Sequence, residues 1–344
     1  VLFRLRWSLV AILVIAFSSY LYLTVTKVEP SSPKMDSSLF STQSKPLSSH
    51  SFSVSAIPIS SINPEQKPLL KLGMQLFLDP RLSSSGKVSC ESCHHINDNG
   101  AELIAVSTGV NGQGNRNSPT VFNVAFNTRF FWDGRANSLY EQIDGPIHNP
   151  LEMDTSWQDI IVKLNDEPRY TKAFNSIYEA GITEATIKHA LVSFMEQLNT
   201  PGSAFDNYLN GDEQALSATA LNGWHKFRSL GCIYCHQGQN IGGNLFQKFG
   251  SVHAVTEAKG DLGRYSITQQ GDDKHVFRVP SLRNVANTPP YFHDGRTASL
   301  EEAVIVMAKV QLGKELEPTT LIELVAFLNS LSAPVPEVIE ELSQ

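Results

Sequence analysis

Apolar residues along most of the chain recur at helical rather than strand spacing. Leu69, Leu70, Met74, Leu76 and Phe77 mark an opening amphipathic helix that stops before Asp79-Pro80. Ile187, Ala190, Leu191, Phe194, Met195 and Leu198 share one face of a helix over 184–198. Leu321, Leu324, Val325, Leu328 and Leu331 line a last helix that ends at Ala333-Pro334. Period-two alternation is scarce, so the pattern predicts a mainly α fold whose helices are joined by long loops rich in Gly, Asn and Pro.

The N-terminus carries a different pattern. No charged residue interrupts Trp7 to Thr26, a run of helix-forming length close to the ~30 Å of a bilayer core. With Arg4 and Arg6 ahead of it, residues 1–26 read as a signal anchor with a cytoplasmic N-terminus, or as a signal peptide cleaved near Ala16-Phe-Ser18. Both readings export the body of the protein, and the periplasm is the expected compartment. Residues 27–62 are rich in Ser and Pro and read as a flexible tether. The folded part is expected from near Pro64.

Composition narrows the function. The 344 residues include 27 basic and 34 acidic side chains, a formal net charge of −7, which argues against a nucleic-acid partner. All four cysteines fall into two copies of one pattern, Cys90-Glu-Ser-Cys93-His94 and Cys232-Ile-Tyr-Cys235-His236. C-x-x-C-H is the attachment signature of c-type haem, in which the thiols bond the porphyrin and the histidine faces the iron. A zinc site would bring two C-x-x-C pairs into one compact unit, whereas these pairs lie 142 positions apart. A thioredoxin-like pair would need a βαβ context that neither flank supplies.

The chain also echoes itself. Arg116-Asn-Ser-Pro-Thr-Val-Phe-Asn leads to Phe131-Trp132-Asp133-Gly134-Arg135, Ser138 and Glu141; Arg278-Val-Pro-Ser-Leu-Arg-Asn leads to Phe292-His293-Asp294-Gly295-Arg296, Ser299 and Glu302. Both copies follow a C-x-x-C-H, which predicts two tandem cytochrome c-like haem domains, 63–200 and 201–334, with 335–344 as a tail. Ser138-x-x-Glu141 and Ser299-x-x-Glu302 have the capping-box form, so a helix is expected after each Asp-Gly-Arg turn. In the second copy that helix carries Met307, whose thioether can complete a His/Met iron. In the first copy Gly145-Pro146 cuts the helix, and Glu152 and Met153 arrive on a loop. A carboxylate there suits a general acid/base beside an open iron. Met74 and Met195 read as core packing.

These residues resemble the bacterial di-haem cytochrome c peroxidases over roughly 64–331. The distinctive stretches are Phe131-Trp-Asp-Gly-Arg with Gln142, Gly145-Pro146 and Glu152-Met153, and Tyr291-Phe292-His293 followed by Met307. The resemblance implies covalent haem at Cys90, Cys93, Cys232 and Cys235, with His94 and His236 as proximal ligands and Met307 as distal ligand of the second iron. It implies Glu152 as acid/base, Gln142 as the group that places hydrogen peroxide, and Trp132 as an electron relay. It also implies an interdomain calcium ion with ligands from Asn117, Thr288 and Pro290, the last two through backbone carbonyls. Hydrogen peroxide, a small c-type cytochrome or cupredoxin as electron donor, and a second copy in a homodimer are the implied partners. His293 matches a family position near the second haem without being a ligand.

Many members close the peroxidatic iron with a histidine on the loop after the first haem motif. Residues 96–116 contain none, and Val110 falls near that place, so an iron open in the oxidised state is expected. His148 is the distal-side histidine that could overturn this, while His95 is expected on the proximal side or in solvent. Methionine at 307, where the relatives that mature a tryptophan-derived quinone carry tyrosine, favours a peroxidase over an oxidase of protein side chains. A non-enzymatic di-haem carrier would have no use for Glu152 and Gln142.

Overall fold

The computed structural model describes residues 54–59, 61–255 and 260–344. The expected anchor, and the tether as far as residue 53, lie outside the described residues. Among those described, no helix is long and apolar enough to cross a membrane.

The helices are α1 (Lys67–Phe77), α2 (Leu139–Gln142), α3 (Asp144–His148), α4 (Trp157–Asn165), α5 (Pro168–Ile177), α6 (Glu184–Met195), α7 (Ala204–Leu209), α8 (Ala218–Leu230), α9 (Tyr265–Thr268), α10 (Leu300–Leu312), α11 (Pro318–Asn329) and α12 (Glu337–Ser343). Among the described residues, strand is confined to two short antiparallel ribbons, β1 (Thr108–Gly109) with β2 (Gly112–Gln113), and β3 (Phe246–Lys248) with β4 (Val276–Arg278). The fold is therefore mainly helical, as the periodicity predicts. Helices α6 and α11 stop two or three residues short of the predicted ends.

Two apolar cores are built on the same kind of helix pair. In the first, Gly73 of α1 lies so close to α6 that a Cβ would collide with the Ala190 carbonyl and the Phe194 side chain. In the second, Gly223 of α8 meets the Glu323 carbonyl and Phe327 of α11 in the same way. Phe194 and Phe327 are fully buried at these crossings, one in each core. Any larger side chain at either glycine would push the helices apart.

The two described ends of the body correct the sequence reading. Residues 335–344 are not a tail: α12 inserts Val338, Ile339 and Leu342 into the first core, against α1. Nor does order begin near Pro64, because Val54 packs on the second core and Ile57 is buried. The Ile57 N–H donates to Asp206 at 3.0 Å, and Arg283 donates to the Ser55 carbonyl at 3.0 Å. Asp206 and Arg283, each about 1% exposed, form an ion pair at 2.7 Å beneath this strap. Hydrophobic patterning misses both segments because each is too short to show a period and is anchored by a distant core.

The helix after the first Asp-Gly-Arg turn is interrupted at Ile143 rather than cut at Gly145-Pro146. Pro146 falls in the first turn of α3, where its missing N–H is not needed. Ser138 and Ser299 cap α2 and α10 by accepting the backbone N–H of Glu141 and Glu302. The Glu141 carboxylate does not complete the reciprocal half and instead takes the N–H and amide of Asn137.

Candidate active site

The internal echo recurs in the backbone at a constant spacing. Asn123 and Asn284, Phe131 and Phe292, and Gly134 and Gly295 all have positive φ, and each pair is 161 positions apart. Phe130 bridges Ala136 just as Tyr291 bridges Thr297. A left-handed conformation is costly for phenylalanine, and such strain gathers at functional sites. Here it precedes the buried Trp132 in the first copy and the buried His293 in the second.

This spacing pairs Asn117, not Arg116, with Arg278, one position off the register that the sequence echo suggests. The two residues interlock the halves symmetrically. The Asn117 N–H donates to the His293 carbonyl at 2.8 Å, and the Arg278 N–H donates to the Trp132 carbonyl at 2.8 Å. The indole Nε1 of Trp132 then donates to the Asn117 carbonyl, also at 2.8 Å.

Two cavities flank this wall. The first, of about 440 Å³, is lined by Cys90, Cys93, His94, Gln142 and Glu152; the second, of about 250 Å³, by Cys232, Cys235, His236 and Met307. Trp132, Arg278, Asn127 and the stretch 117–120 face both. Burial lowers His94 and His236 to about 4, so both imidazoles are neutral. Burial also raises Cys90 to about 12 and Cys232 to about 11, which favours the protonated thiols. Two thiols and one neutral imidazole on the wall of each cavity form a donor set that fits covalently held haem.

The first cavity carries proton-transfer groups. Glu152 is largely buried, which raises its pKa, against the opposing effects of an Asn149 hydrogen bond and the charge of Arg135. Asn149 Nδ2 donates to Glu152 Oε1 at 2.6 Å, and both side chains line the cavity. The β1–β2 hairpin presses on this segment from the other side. The Val110 N–H donates to the Glu152 carbonyl at 2.8 Å, and Asn111 donates to the Pro150 carbonyl and to Asp154. Gly109 touches the Leu151–Glu152 backbone so closely that no Cβ would fit. Sequence reasoning missed Asn149 and this hairpin; the glycines at 109 and 112 were the available signal.

Among the described residues lining the first cavity, His94 is the only imidazole. His148 instead holds its Nδ1 3.1 Å from the Thr155 carbonyl and sets its ring edge-on to Trp157. His95 likewise does not line the cavity.

Asn117, Thr288 and Pro290 all line the second cavity. The Asn117 amide nitrogen is committed to the carbonyls of Ile104 and Ala105, which leaves Oδ1 as its remaining ligand atom. Among the described residues, no cluster of three or more His, Cys, Asp or Glu is arranged for a metal ion. A cation at this place would rely on neutral oxygens, which suit calcium. His293 stacks on Phe277 with ring centroids 4.0 Å apart and meets Trp132 edge-on.

Comparison with known proteins agrees with this donor set. Residues 67–214 match the family model described as di-haem cytochrome c peroxidase. The chain is 44% identical to cytochrome c551 peroxidase of Pseudomonas aeruginosa, over 78% of this chain and 80% of the relative. It is 41% identical to cytochrome c551 peroxidase of Nitrosomonas europaea, over 81% and 84%. The crystal structure of a MauG-like protein associated with microbial copper homeostasis superposes with a TM-score of 0.70 at 25% identity, over 81% of this chain and 94% of that one. The chain is an enzyme of the di-haem cytochrome c peroxidase family.

Proposed function

We propose that this peroxidase reduces hydrogen peroxide to water at its first cavity, with electrons that enter singly through the second. When bound, the haems, held by Cys90, Cys93 and His94 in the first cavity and by Cys232, Cys235 and His236 in the second, would supply one-electron redox chemistry and, in the first cavity, an iron able to take peroxide. The observation that carries this division of labour is an asymmetry: Glu152 and Gln142 line the first cavity, whereas Met307 faces the second.

In the first cavity the Glu152 carboxylate takes the proton from one peroxide oxygen and delivers it to the other, which leaves as water when the O–O bond breaks. Two electrons from the donor and two protons convert the remaining oxygen to a second water, so that H2O2 + 2 e⁻ + 2 H⁺ gives 2 H2O. Burial raises its pKa toward the working range, as a group that must both take and give a proton requires. Asn149 fixes the direction of that carboxylate, and the Gln142 amide orients peroxide by hydrogen bonding. The hairpin at 108–113 holds the Glu152 loop and brings no side chain that would close the iron. In the second cavity Met307 and His236 would saturate the iron, an arrangement suited to electron transfer. Trp132, in the wall that both cavities share, is the relay between them.

The same reading assigns 63–200 to the peroxidatic haem domain and 201–334 to the electron-transfer domain. Calcium at Asn117, Thr288 and Pro290 would stiffen the wall beside Trp132. The donor is a small c-type cytochrome or cupredoxin, the compartment is the periplasm, and the working form is a homodimer, held at the membrane if residues 1–26 are retained as an anchor. A pure electron carrier would leave Glu152 and Gln142 without a task. Steady-state peroxide consumption with reduced small cytochromes or cupredoxins tests the proposal, and failure of every such donor to support turnover would refute it.

A further inference from the structure

Three arginines line the first cavity, and two are paired. Arg116 holds Asp261 with two hydrogen bonds and Asp133 with a third, and Arg135 also holds Asp133. Arg278 differs. It is only 4% exposed, its Nε donates to the Phe131 carbonyl at 3.2 Å, and its Nη1 is buried with no hydrogen-bond partner. Burial lowers its pKa only to about 10, so the side chain remains a cation at neutral pH. A buried cation without an anion is strongly unfavourable, and the usual remedy is a carboxylate or phosphate that pairs with it.

The place of this charge identifies its partner. Arg278 lines both cavities, and its backbone is fixed to Trp132. It is also the repeat counterpart of Asn117. Where the first copy offers a neutral amide, the second places a permanent positive charge in the wall. The porphyrin of a c-type haem carries two carboxylates and no other anionic group.

We propose that Arg278 anchors a haem propionate in the wall between the two cavities, and that this pairing raises the reduction potential of the haem that carries it. The inference rests on both cavities holding haem. A guanidinium that neutralises a propionate makes electron uptake by the nearby iron less unfavourable, because less negative charge faces the incoming electron. Its loss therefore favours the oxidised state.

The test is a spectroelectrochemical titration of the loaded wild type, Arg278→Gln and Arg278→Lys, with resonance Raman spectra of the propionate bending bands. In Arg278→Gln, at the potential where that haem is half reduced in the wild type, the reduced-to-oxidised ratio should fall by about tenfold, which is about 59 mV for one electron. A propionate band should shift in the same variant. Arg278→Lys should retain most of the wild-type ratio. Unchanged potentials and bands in Arg278→Gln, or equal shifts in both variants, would overturn the proposal. If the glutamine variant fails to accumulate loaded protein, Arg278→Lys decides: a ratio near wild type supports the pairing, and a tenfold fall refutes it. Mass spectrometry of the wild type isolates the underlying premise, since fewer than two thioether-linked haems would refute that reading instead.

Discussion

Trp132 and His293 occupy equivalent positions of the internal repeat, and their rings meet edge to face with centroids 6.2 Å apart. Each also takes a backbone hydrogen bond from the opposite half, from Arg278 and Asn117 respectively. The indole thus sits in a doubly fixed wall between the cavities. Trp132→Phe keeps an aromatic ring but loses part of the indole volume and the Nε1 bond to the Asn117 carbonyl, the bond alone being worth about 1 kcal/mol of stability. Turnover should fall by about tenfold or more, equivalent to about 1.4 kcal/mol of barrier, with both haem potentials unchanged. Stopped-flow reduction of the first haem by the second measures this, and an unchanged rate would remove Trp132 from the electron path.

The acid/base role proposed for Glu152 predicts the pH dependence of peroxide turnover. Because burial raises its pKa, the carboxylate form is lost as pH falls at a higher pH than for an exposed glutamate. The acidic limb of kcat/KM should therefore lie above the ordinary carboxylate range. Asn149→Leu removes a hydrogen bond that opposes the shift, and should move that limb further up. Glu152→Gln should cost about 10²–10⁴-fold in kcat/KM. A limb that stays in place in Asn149→Leu would show that another group titrates.

Met307 faces the second cavity from α10. Met307→Ala should lower the potential of one haem and leave the other near its wild-type value, read from a redox titration. A titration in which neither haem moves would remove the ligand assignment.

The Arg283–Asp206 pair joins the segment at 55–57 to the second core, with both side chains fully buried. Asp206→Asn leaves the guanidinium without its counter-charge and should destabilise the fold by about 3–5 kcal/mol. The strap should loosen with it. Thermal unfolding and limited proteolysis near Ile57 check both effects, and a protected strap in a destabilised variant would separate the two.

The haem motifs are readable in the sequence because local spacing alone identifies them, and the places of Met307 and Glu152 on opposite cavities follow from what comes after the two Asp-Gly-Arg turns. The mainly α class is readable for the same reason, from periodic faces on α1, α6 and α11. What escapes are relations made by the fold. The strap at 54–57 and α12 are ordered by distant cores. Asn149 matters only because the turn at 149–152 folds its amide onto Glu152. The correspondence of Asn117 with Arg278 emerges only from the 161-position backbone register, since the Arg116-Asn-Ser-Pro and Arg278-Val-Pro stretches suggest pairing the two arginines. The charge on Arg278 is conspicuous only once its burial and unpaired Nη1 are known.

The division of labour between the cavities is tested most directly by the electron paramagnetic resonance and optical spectrum of the fully oxidised protein, before any reductant is added. One high-spin and one low-spin haem is the expected result, with the high-spin signal lost on adding a small iron ligand such as cyanide. Two low-spin haems with no high-spin component would contradict an open iron at His94.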